Sequence, residues 1–298
     1  MSDFRLKVFQ SVAKNLSFTK ASQELFVSQP AITKHIQELE AAYQTRLFDR
    51  QGSRISLTEA GKLLLEHCER ILEDYKRLEY EMHLLHNEYT GGLKLGASTT
   101  VAQYVLPPLL ASFIGKFPHV NLSLLNGNSR EIEAALQEHR IDLGFVEGVF
   151  RLPNIKYTTF LKDELVAVVR TGSKLAIGEE ITPEELLHLP LVLRERGSGT
   201  LDVFERALQQ HNIKLSSLQV LMYLGSTESI KLFLEHTDCL GIVSIRSITR
   251  ELYSGQLRVV VIKDMPMLRD FSFAQPQGQE SGLAQVFMQF AMHYNNKL

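Results

Sequence analysis

Residues 17–43, SFTKASQELFVSQPAITKHIQELEAAY, limit the fold more than any other stretch of the chain. Ser17 can cap a first short helix, and the two residues after Leu25 form a turn. Ser28 can then cap a second helix with Pro30 in its first turn, where the missing N–H interrupts no helical hydrogen bond. The stretch therefore predicts two short helices joined by a tight turn.

The second helix has two faces of different character. Its apolar residues follow one helical stripe, which predicts that they pack in a core: Ile32, Ile36, Leu39 and Tyr43. The opposite face carries amides, a hydroxyl and one cation: Gln29, Thr33 and Gln37 in one row, with Pro30 and Lys34 in the adjacent row. Such groups suit the edges of bases and a phosphate. For a helix taken alone, the alternative is an ordinary solvated face.

The sequence on either side of this pair favours the DNA-binding interpretation. Apolar residues at helical spacing predict one more helix before it: Phe4, Val8 and Val12. After it, two short segments around a Gly turn, residues 46–50 and 54–57, predict a small hairpin. Three helices and a hairpin form a winged helix-turn-helix. Arg50 and Arg54 would flank the turn, where two cations can reach sugar-phosphate oxygens beside the groove.

Three motifs between Val8 and Thr58 are specific enough to suggest a family: FTKASQELFVSQPAITKHIQELE, RLFDR and ISLTEAG. This stretch resembles the DNA-binding domain of LysR-type transcriptional regulators. The resemblance implies base or groove contacts from Gln29, Pro30 and Thr33. It implies contacts to the DNA backbone from a second set: Ser28, Lys34, Arg50 and Arg54. Members often have Ser-Arg where this chain has Thr33-Lys34, so a point charge replaces a planar guanidinium.

Composition sets limits on the class of protein. The 298 residues carry a net charge of −2, yet residues 1–60 hold eight Lys/Arg against six Asp/Glu. DNA affinity must therefore come from the placement of cations and from two copies binding together. No run of eighteen apolar residues and no signal-peptide pattern is present, so we expect a cytoplasmic protein with no membrane partner. We expect Cys68 and Cys239 to be reduced, with thiol sensing as the alternative.

A long helical segment without Pro or Gly follows, from Lys62 to Thr90. Its apolar residues recur in steps of three and four, which predicts a coiled-coil seam: Leu64, Cys68, Ile71, Tyr75, Leu78, Met82 and Leu85. The simplest partner for such a seam is a second copy of the chain. The alternative is a helix docked on its own domain. The family resemblance implies a linker helix that forms the dimer, with tetramers as a further possibility.

After Gly91-Gly92, strands and helices alternate in two βαβ-type sets. A helix is predicted over 101–117, another helix from the capping box at 182–185, and crossing segments near 161–164 and 264–270. The pattern predicts two α/β lobes and resembles the type 2 periplasmic-binding-protein fold of the family's effector domain. The predicted organisation is a DNA-binding domain at 1–58, a linker helix at 59–90 and an effector domain at 91–298. Within the effector domain, lobe I is predicted at about 91–161 and 268–298, and lobe II at about 162–267.

Open parallel sheets bind ligands at the carboxyl ends of their strands. Those ends carry hydroxyl, amide, glycine and carboxylate groups here, which predict the effector site: Ser98, Thr99, Thr100, Asn126, Asn128, Glu147, Ser198, Gly199, Thr200, Ser226 and Thr227. Hydroxyls at helix N-termini form a neutral cradle for an anion, whereas the alternative is that each is only an N-cap. Glu147 would repel a dianion unless it faces away or binds a ligand amine.

The resulting functional hypothesis is a DNA-binding transcriptional regulator that senses a small polar, anionic metabolite between two lobes. The run at 194–200 together with residues 146–148 resembles a branch of the family associated with cysteine and sulfur assimilation, which implies sulfate, sulfite or a cysteine precursor. RNA polymerase is a further candidate partner. The alternatives are a solute-binding protein and an enzyme on the same scaffold. No cofactor, metal or nucleophile motif such as GxGxxG, HExxH or GxSxG is present.

Overall fold

The computed structural model describes residues 4–51, 54–86, 89–175, 180–277 and 282–295. The chain divides into two compact units, Met1–Asn87 and Glu88–Leu298. Each unit is described by itself. The sequence predicts the long helix at 59–90 as a separate segment, whereas in the structure it belongs to the N-terminal unit as far as Asn87.

The N-terminal unit contains three helices, a hairpin and the long helix, in this order: α1 Phe4–Asn15, α2 Phe18–Leu25, α3 Gln29–Tyr43, β1 Phe48–Gln51, β2 Arg54–Leu57 and α4 Glu59–His86. Strands β1 and β2 are antiparallel, with Arg50 opposite Ile55 and Gln51 opposite Arg54. This order confirms the predicted winged helix-turn-helix.

The core of the N-terminal unit lies where α1, α2 and α3 meet. Val8, Val12 and Ile32 are fully buried there, as the helical stripes predicted. One predicted core position is wrong: Tyr43 is 55% exposed. It is the last residue of α3, where the chain leaves the core before the stripe is complete.

The first half of α4 packs against this same core. Cys68 is fully buried, and its thiol donates a hydrogen bond to the Leu6 carbonyl, 3.3 Å away. Leu72 is buried and Leu64 packs partly against the same cluster. The assignment of Cys68 to an intermolecular seam is therefore wrong, because its side chain is enclosed by its own unit. The predicted alternative, a helix docked on its own domain, is correct for this half.

The C-terminal unit alternates strands and helices. Its strands are β3 Gly91–Ser98, β4 Val120–Gly127, β5 Leu143–Glu147, β6 Ile155–Arg170, β7 Glu180–Ile181, β8 Pro190–Arg194, β9 Gln219–Leu224, β10 Leu240–Ser244, β11 Leu257–Ile262 and β12 Met267–Pro276. Its helices are α5 Thr99–Tyr104, α6 Leu106–Lys116, α7 Ser129–Gln137, α8 Gly199–Gln210, α9 Thr227–His236, α10 Thr249–Tyr253 and α11 Gly282–Asn295.

The strands of this unit form one sheet with the order β4-β3-β5-β12-β6-β10-β8-β9, and β11 pairs with β6 and β7 beside this path. Strand β3 pairs parallel with β4 and with β5, which flank it, and β8 pairs parallel with β9 and with β10 in the same way. Between these two sets run β6 and β12, which pair antiparallel over the whole of Met267–Pro276. We call the β3 set and its helices lobe I, and the β8 set and its helices lobe II.

Two predicted helices differ from the structure. The segment predicted as one helix over 101–117 is divided at Val105, because the following Leu106-Pro107-Pro108 restricts the backbone and removes N–H donors. The capping box at Thr182 is present, with Thr182 and Glu185 exchanging side-chain to backbone hydrogen bonds. It starts only a 3₁₀ turn, Glu185–His188, because strand β8 begins at Pro190.

Candidate effector cleft and DNA-binding surface

The helix-turn-helix is fixed by two serine caps. Ser17 accepts a hydrogen bond from the Lys20 N–H at 3.2 Å, and Ser28 accepts one from the Ala31 N–H at 3.4 Å. Between them, Phe26 adopts a left-handed conformation with φ 54°, which ends α2 and turns the chain. These local bonds direct α3 so that one side enters the core and the other remains exposed.

The predicted DNA-contacting face of α3 is open to solvent. Thr33 is half-buried, and the other members are exposed: Ser28, Gln29, Pro30, Lys34 and Gln37. The Thr33 hydroxyl donates to the Gln29 carbonyl at 3.1 Å, and the Gln29 side-chain oxygen accepts from the Thr19 hydroxyl at 3.3 Å. The Thr33 oxygen can still accept a hydrogen bond and the Gln29 NH2 group can still donate, so both side chains can contact a base while these internal bonds are kept.

The hairpin is joined to α3 through Glu40, a residue that no motif in the sequence singles out. The Glu40 carboxylate accepts hydrogen bonds from the Leu47 N–H at 2.8 Å and the Phe48 N–H at 3.4 Å. The backbones of Arg50 and Arg54 lie in the hairpin, and their side chains lie outside the described residues. Glu40 thus positions the hairpin beside α3.

Between the lobes of the C-terminal unit lies a buried cation, Arg194, at the end of β8. It is 1% exposed. Its Nη2 donates to the Thr99 hydroxyl of lobe I at 3.3 Å and to the Gly225 carbonyl of lobe II at 3.4 Å. Its Nε and Nη2 both bind the Glu195 carboxylate, at 2.8 and 2.9 Å. Arg194 therefore connects the two lobes directly.

Arg194 Nη1 has no hydrogen-bond partner among the described residues, and neither has the Ser98 hydroxyl at the end of β3. Ser98 is 1% exposed and precedes Thr99, which contacts the Arg194 guanidinium. Because buried polar groups are normally satisfied, an unpartnered donor on a buried cation indicates a place for an acceptor atom. An anion carries acceptors and also complements the cation.

Three of the predicted cradle residues act as N-caps. Asn128, Ser198 and Ser226 each accept a hydrogen bond from a backbone N–H in the first turn of α7, α8 and α9. For these side-chain oxygens the cap interpretation is correct. Asn126 is exposed at the end of β4, and Thr227 is buried at the start of α9. The structure brings Thr99 to Arg194, whereas it leaves Asn126 at the surface.

Glu147 belongs to a buried network across the lobes. Its Oε1 accepts from Thr100 at 3.2 Å and Thr200 at 3.4 Å, and lies 3.2 Å from Arg269 Nη1. Arg269 also binds Asp163 at 2.7 Å. Arg269 thus compensates the charge of Glu147 internally. The predicted repulsion of a dianion by Glu147 is therefore weaker than its bare charge implies.

Gly199 has a packing reason for lacking a side chain. A Cβ placed on it would lie 2.2 Å from the Glu147 carbonyl oxygen and 2.4 Å from the carbonyl carbon. Helix α8 of lobe II can approach β5 of lobe I this closely only because Gly199 has no Cβ. The close contact between the lobes therefore explains why the Gly-Ser-Gly-Thr run has a glycine at position 199.

A second contact between the lobes lies at α5 and α9. The Tyr104 hydroxyl donates to Glu228 Oε1, and the Lys231 ammonium lies 5.3 Å from the centre of the Tyr104 ring. Lys231 also binds Glu228 at 2.7 Å and Glu251 at 2.8 Å. Burial, followed by the hydrogen bond to Glu228, raises the pKa of Tyr104 well above its usual value. Tyr104 therefore remains a neutral donor at physiological pH.

Arg194, Tyr104, Lys231 and Arg269 were not among the predicted site residues. The run at 194–200 had drawn attention to the loop, but its hydroxyls and glycines suggested the ligand contacts rather than its arginine. The partners of the other three come from distant parts of the chain. Tyr104 and Glu228, for example, are 124 residues apart. No local pattern reveals such a pair.

Both cysteines are buried, and burial is the main cause that raises the pKa of Cys68 and of Cys239 to about 11. Their thiolate populations at neutral pH are small, which disfavours thiol sensing. Among the described residues no cluster of three His, Cys, Asp or Glu side chains could hold a metal ion. No helix in the described ranges has the length and apolar character of a membrane span.

Two family models cover most of the chain: a bacterial regulatory helix-turn-helix protein of the lysR family at residues 4–62, and a LysR substrate binding domain at residues 86–295. The chain belongs to the LysR family. It is thus a LysR-type transcriptional regulator with an effector-binding domain, and not an enzyme. The family resemblance seen in the motifs between Val8 and Thr58 is confirmed.

Named relatives match most of the chain. The uncharacterized HTH-type transcriptional regulator YeiE of Escherichia coli (strain K12) is 34% identical over 258 residues, 87% of this chain and 85% of that protein. A RuBisCO operon transcriptional regulator of Acidithiobacillus ferrooxidans is 30% identical over 96% of this chain and 92% of its own. The solved regulatory domain of Synechocystis PCC6803 CcmR in complex with 2-PG is 27% identical with a TM-score of 0.64, covering 70% of this chain and 99% of that chain.

Proposed function

We propose that this regulator binds promoter DNA through the exposed face of α3 and that a small anion held between lobes I and II controls that binding. The observation that carries the proposal is Arg194, a buried cation that contacts both lobes and retains an Nη1 without a partner among the described residues. An anion at this point would bind the guanidinium.

The surroundings of Arg194 support an anion over a neutral ligand. Helices α8 and α9 begin nearby, and their N-terminal N–H groups carry partial positive charge. Ser98 is a neutral residue with an unpartnered hydroxyl and adds no negative charge. The regulatory domain of CcmR, which is similar to the C-terminal unit, was solved in complex with 2-PG. The sulfur-related anions suggested by the run at 194–200 therefore belong in one panel with 2-PG.

The proposed mechanism is a shift in population between arrangements of the lobes. An anion that binds Arg194 and lobe I together favours the arrangement in which the lobes are close. In a dimer, that shift would change the spacing of two helix-turn-helix heads and the bend that they impose on DNA. The second copy would be held through the exposed apolar residues of α4.

Binding to the DNA upstream of its own gene, measured against random competitor, tests the proposal directly. Sulfate, sulfite, a cysteine precursor and 2-PG are each added at constant ionic strength. We expect specific binding whose affinity or footprint changes with one of these anions, and we expect Arg194→Gln to lose that change. Arg140→Gln, at an exposed arginine paired with Glu138, is the matched control. Specific binding that no anion alters would refute the effector part of the proposal.

A further inference from the structure

The pairing of Arg194 with Glu195 is asymmetric. The guanidinium side chain is 1% exposed, whereas the Glu195 side chain is 26% exposed. The cation is held by Thr99 and Gly225 as well as by Glu195. Rotation of the Glu195 side chain into solvent would break two hydrogen bonds without displacing the backbone. Of the two partners, only the carboxylate is therefore free to move.

Glu195 occupies the side of the guanidinium that an oxyanion prefers. It binds Nε and Nη2 together, at 2.8 and 2.9 Å, in the two-point geometry by which arginine holds carboxylate, sulfate or phosphate groups. The remaining nitrogen, Nη1, offers only single-point contact. A ligand anion that takes two-point contact on the Nε–Nη2 side must replace Glu195.

The other buried cations near the cleft are compensated differently. Lys231 has two carboxylate partners, Glu228 and Glu251. Arg269 has Glu147 and Asp163, whose side chains are at most 1% exposed. Lys231 keeps Glu251 as a partner if the more exposed Glu228 turns into solvent, and both partners of Arg269 are enclosed. Arg194 differs in depending on one carboxylate that reaches solvent.

We propose that Glu195 is an internal counter-ion that competes with the effector for Arg194 and so determines the anion concentration at which the cleft responds. This inference rests on the proposed function, because it assumes that the effector binds at Arg194. It predicts that the ligand is an oxyanion that presents one oxygen to Nε and another to Nη2, namely a carboxylate, sulfate or a phosphate monoester. It also gives Glu195 a role in specificity, since its charge opposes a dianion more strongly than a monoanion.

The inference fixes the direction of a charge-removing substitution. Glu195→Gln retains the size of the side chain but leaves Arg194 without a charged partner. An added anion can then bind Nε and Nη2 of Arg194 without displacing a carboxylate. Hydrogen bonds to charged groups are stronger than neutral ones, so we expect sulfate to bind about tenfold more tightly to Glu195→Gln than to the natural chain. The gain for a monoanion such as acetate should be smaller.

Titration calorimetry of the full chain without DNA measures this directly, with sodium sulfate and sodium acetate as probes at constant ionic strength. Glu138→Gln is the matched control, because it removes the same charge at an exposed residue near the C-terminal end of α7. Tighter sulfate binding by Glu195→Gln, with no gain in Glu138→Gln, supports the inference. Equal or weaker sulfate binding by Glu195→Gln, including no binding to either protein, overturns it.

A second variant and a second measurement protect the test from a folding defect. Glu195→Asp keeps the charge but shortens the side chain by one methylene, which weakens the two-point contact. If Glu195→Gln does not fold, sulfate must raise the melting temperature of Glu195→Asp more than that of the natural chain. An equal or smaller rise overturns the inference. Loss of sulfate binding in Arg194→Gln reports separately on the proposed effector site.

Discussion

Thr33 lies at the centre of the exposed face of α3, and its hydroxyl donates a hydrogen bond to the Gln29 carbonyl in the free protein. The neighbouring Lys34 is exposed and carries a mobile point charge. A hydroxyl in this position can discriminate between base edges, whereas a lysine acts chiefly on phosphate. The two residues should therefore contribute to DNA binding in different ways.

Thr33→Ala is expected to weaken discrimination between the specific site and random DNA by about 1–3 kcal/mol, because one base contact is removed. Lys34→Ala should instead weaken binding to both DNAs alike and reduce the salt dependence of the affinity by about one ion. Fluorescence anisotropy with both DNAs at several salt concentrations measures the two effects. Equal losses on both DNAs from Thr33→Ala would show that Thr33 does not contact a base.

Among the secondary-structure elements, α8 depends most directly on one small residue. Gly199 lies at its start, against the Glu147 carbonyl of β5. The same contact region holds Thr200 and its bond to Glu147. A side chain at this position would have to move backbone rather than a flexible side chain, so the contact between α8 and β5 is sensitive to any added volume.

Gly199→Ala should destabilise the protein by about 1–3 kcal/mol or more, since overpacking against fixed atoms forces a backbone shift. It should also weaken anion binding, because the shift separates the lobes that flank Arg194. Thermal unfolding and sulfate titration measure the two effects. Gly92→Ala is the control, because a Cβ there would meet no atom within 4 Å and Gly92 lies outside the proposed anion site. Unchanged stability in Gly199→Ala would contradict the close packing of α8 on β5.

Helix α4 changes its environment along its length. Cys68 and Leu72 are buried in the core of the N-terminal unit. Further along, Leu78 is 51% exposed and Met82 is 49% exposed, and Ile71 is 40% exposed on the same helix. The side chain of Leu85 lies outside the described residues. Exposed apolar residues in heptad positions remain a predicted seam for a second copy.

Leu78→Asp should convert the oligomer to monomers that bind half-sites poorly, because it places a charge in the predicted seam. Glu66→Lys is the control, since it reverses a charge at an exposed residue of α4 that lies outside the seam. Light scattering at matched concentrations gives the mass of each protein. An unchanged mass for Leu78→Asp would show that Leu78 is not part of an intermolecular coiled-coil seam.

For the molecule as a whole, the division into Met1–Asn87 and Glu88–Leu298 matters more than the predicted boundary at residue 58. A cut at 58 would remove Cys68 and Leu72 from the core that contains Phe9 and Ile36. Burial of a large apolar side chain contributes about 1.5–3 kcal/mol, which is a substantial part of the stability of a small domain.

A fragment of residues 1–87 should therefore unfold cooperatively, whereas a fragment of residues 1–58 should be much less stable or unfolded. Circular dichroism during thermal unfolding distinguishes the two. Equal melting temperatures for the two fragments would show that the first half of α4 contributes little to the core. The predicted linker helix would then be a separate segment, as the sequence suggested.

The sequence by itself determined the winged helix-turn-helix, because its caps, turn and helical stripes are interactions between near neighbours. Ser17 and Ser28 cap the helices to which they were assigned. It also determined the alternation of strands and helices in the second half, since hydrophobic periodicity records which faces are buried. The polar outer face of α3 followed from the same periodicity.

Only the tertiary structure decided which hydroxyls are caps and which are unpartnered, because Ser198 and Ser98 look alike where each follows a strand. It also decided that Cys68 faces its own core and that Arg194 connects two lobes. Each of these facts depends on atoms that are distant in sequence and adjacent in space. Local patterns set the elements, whereas the packing between them places the charged groups of the cleft.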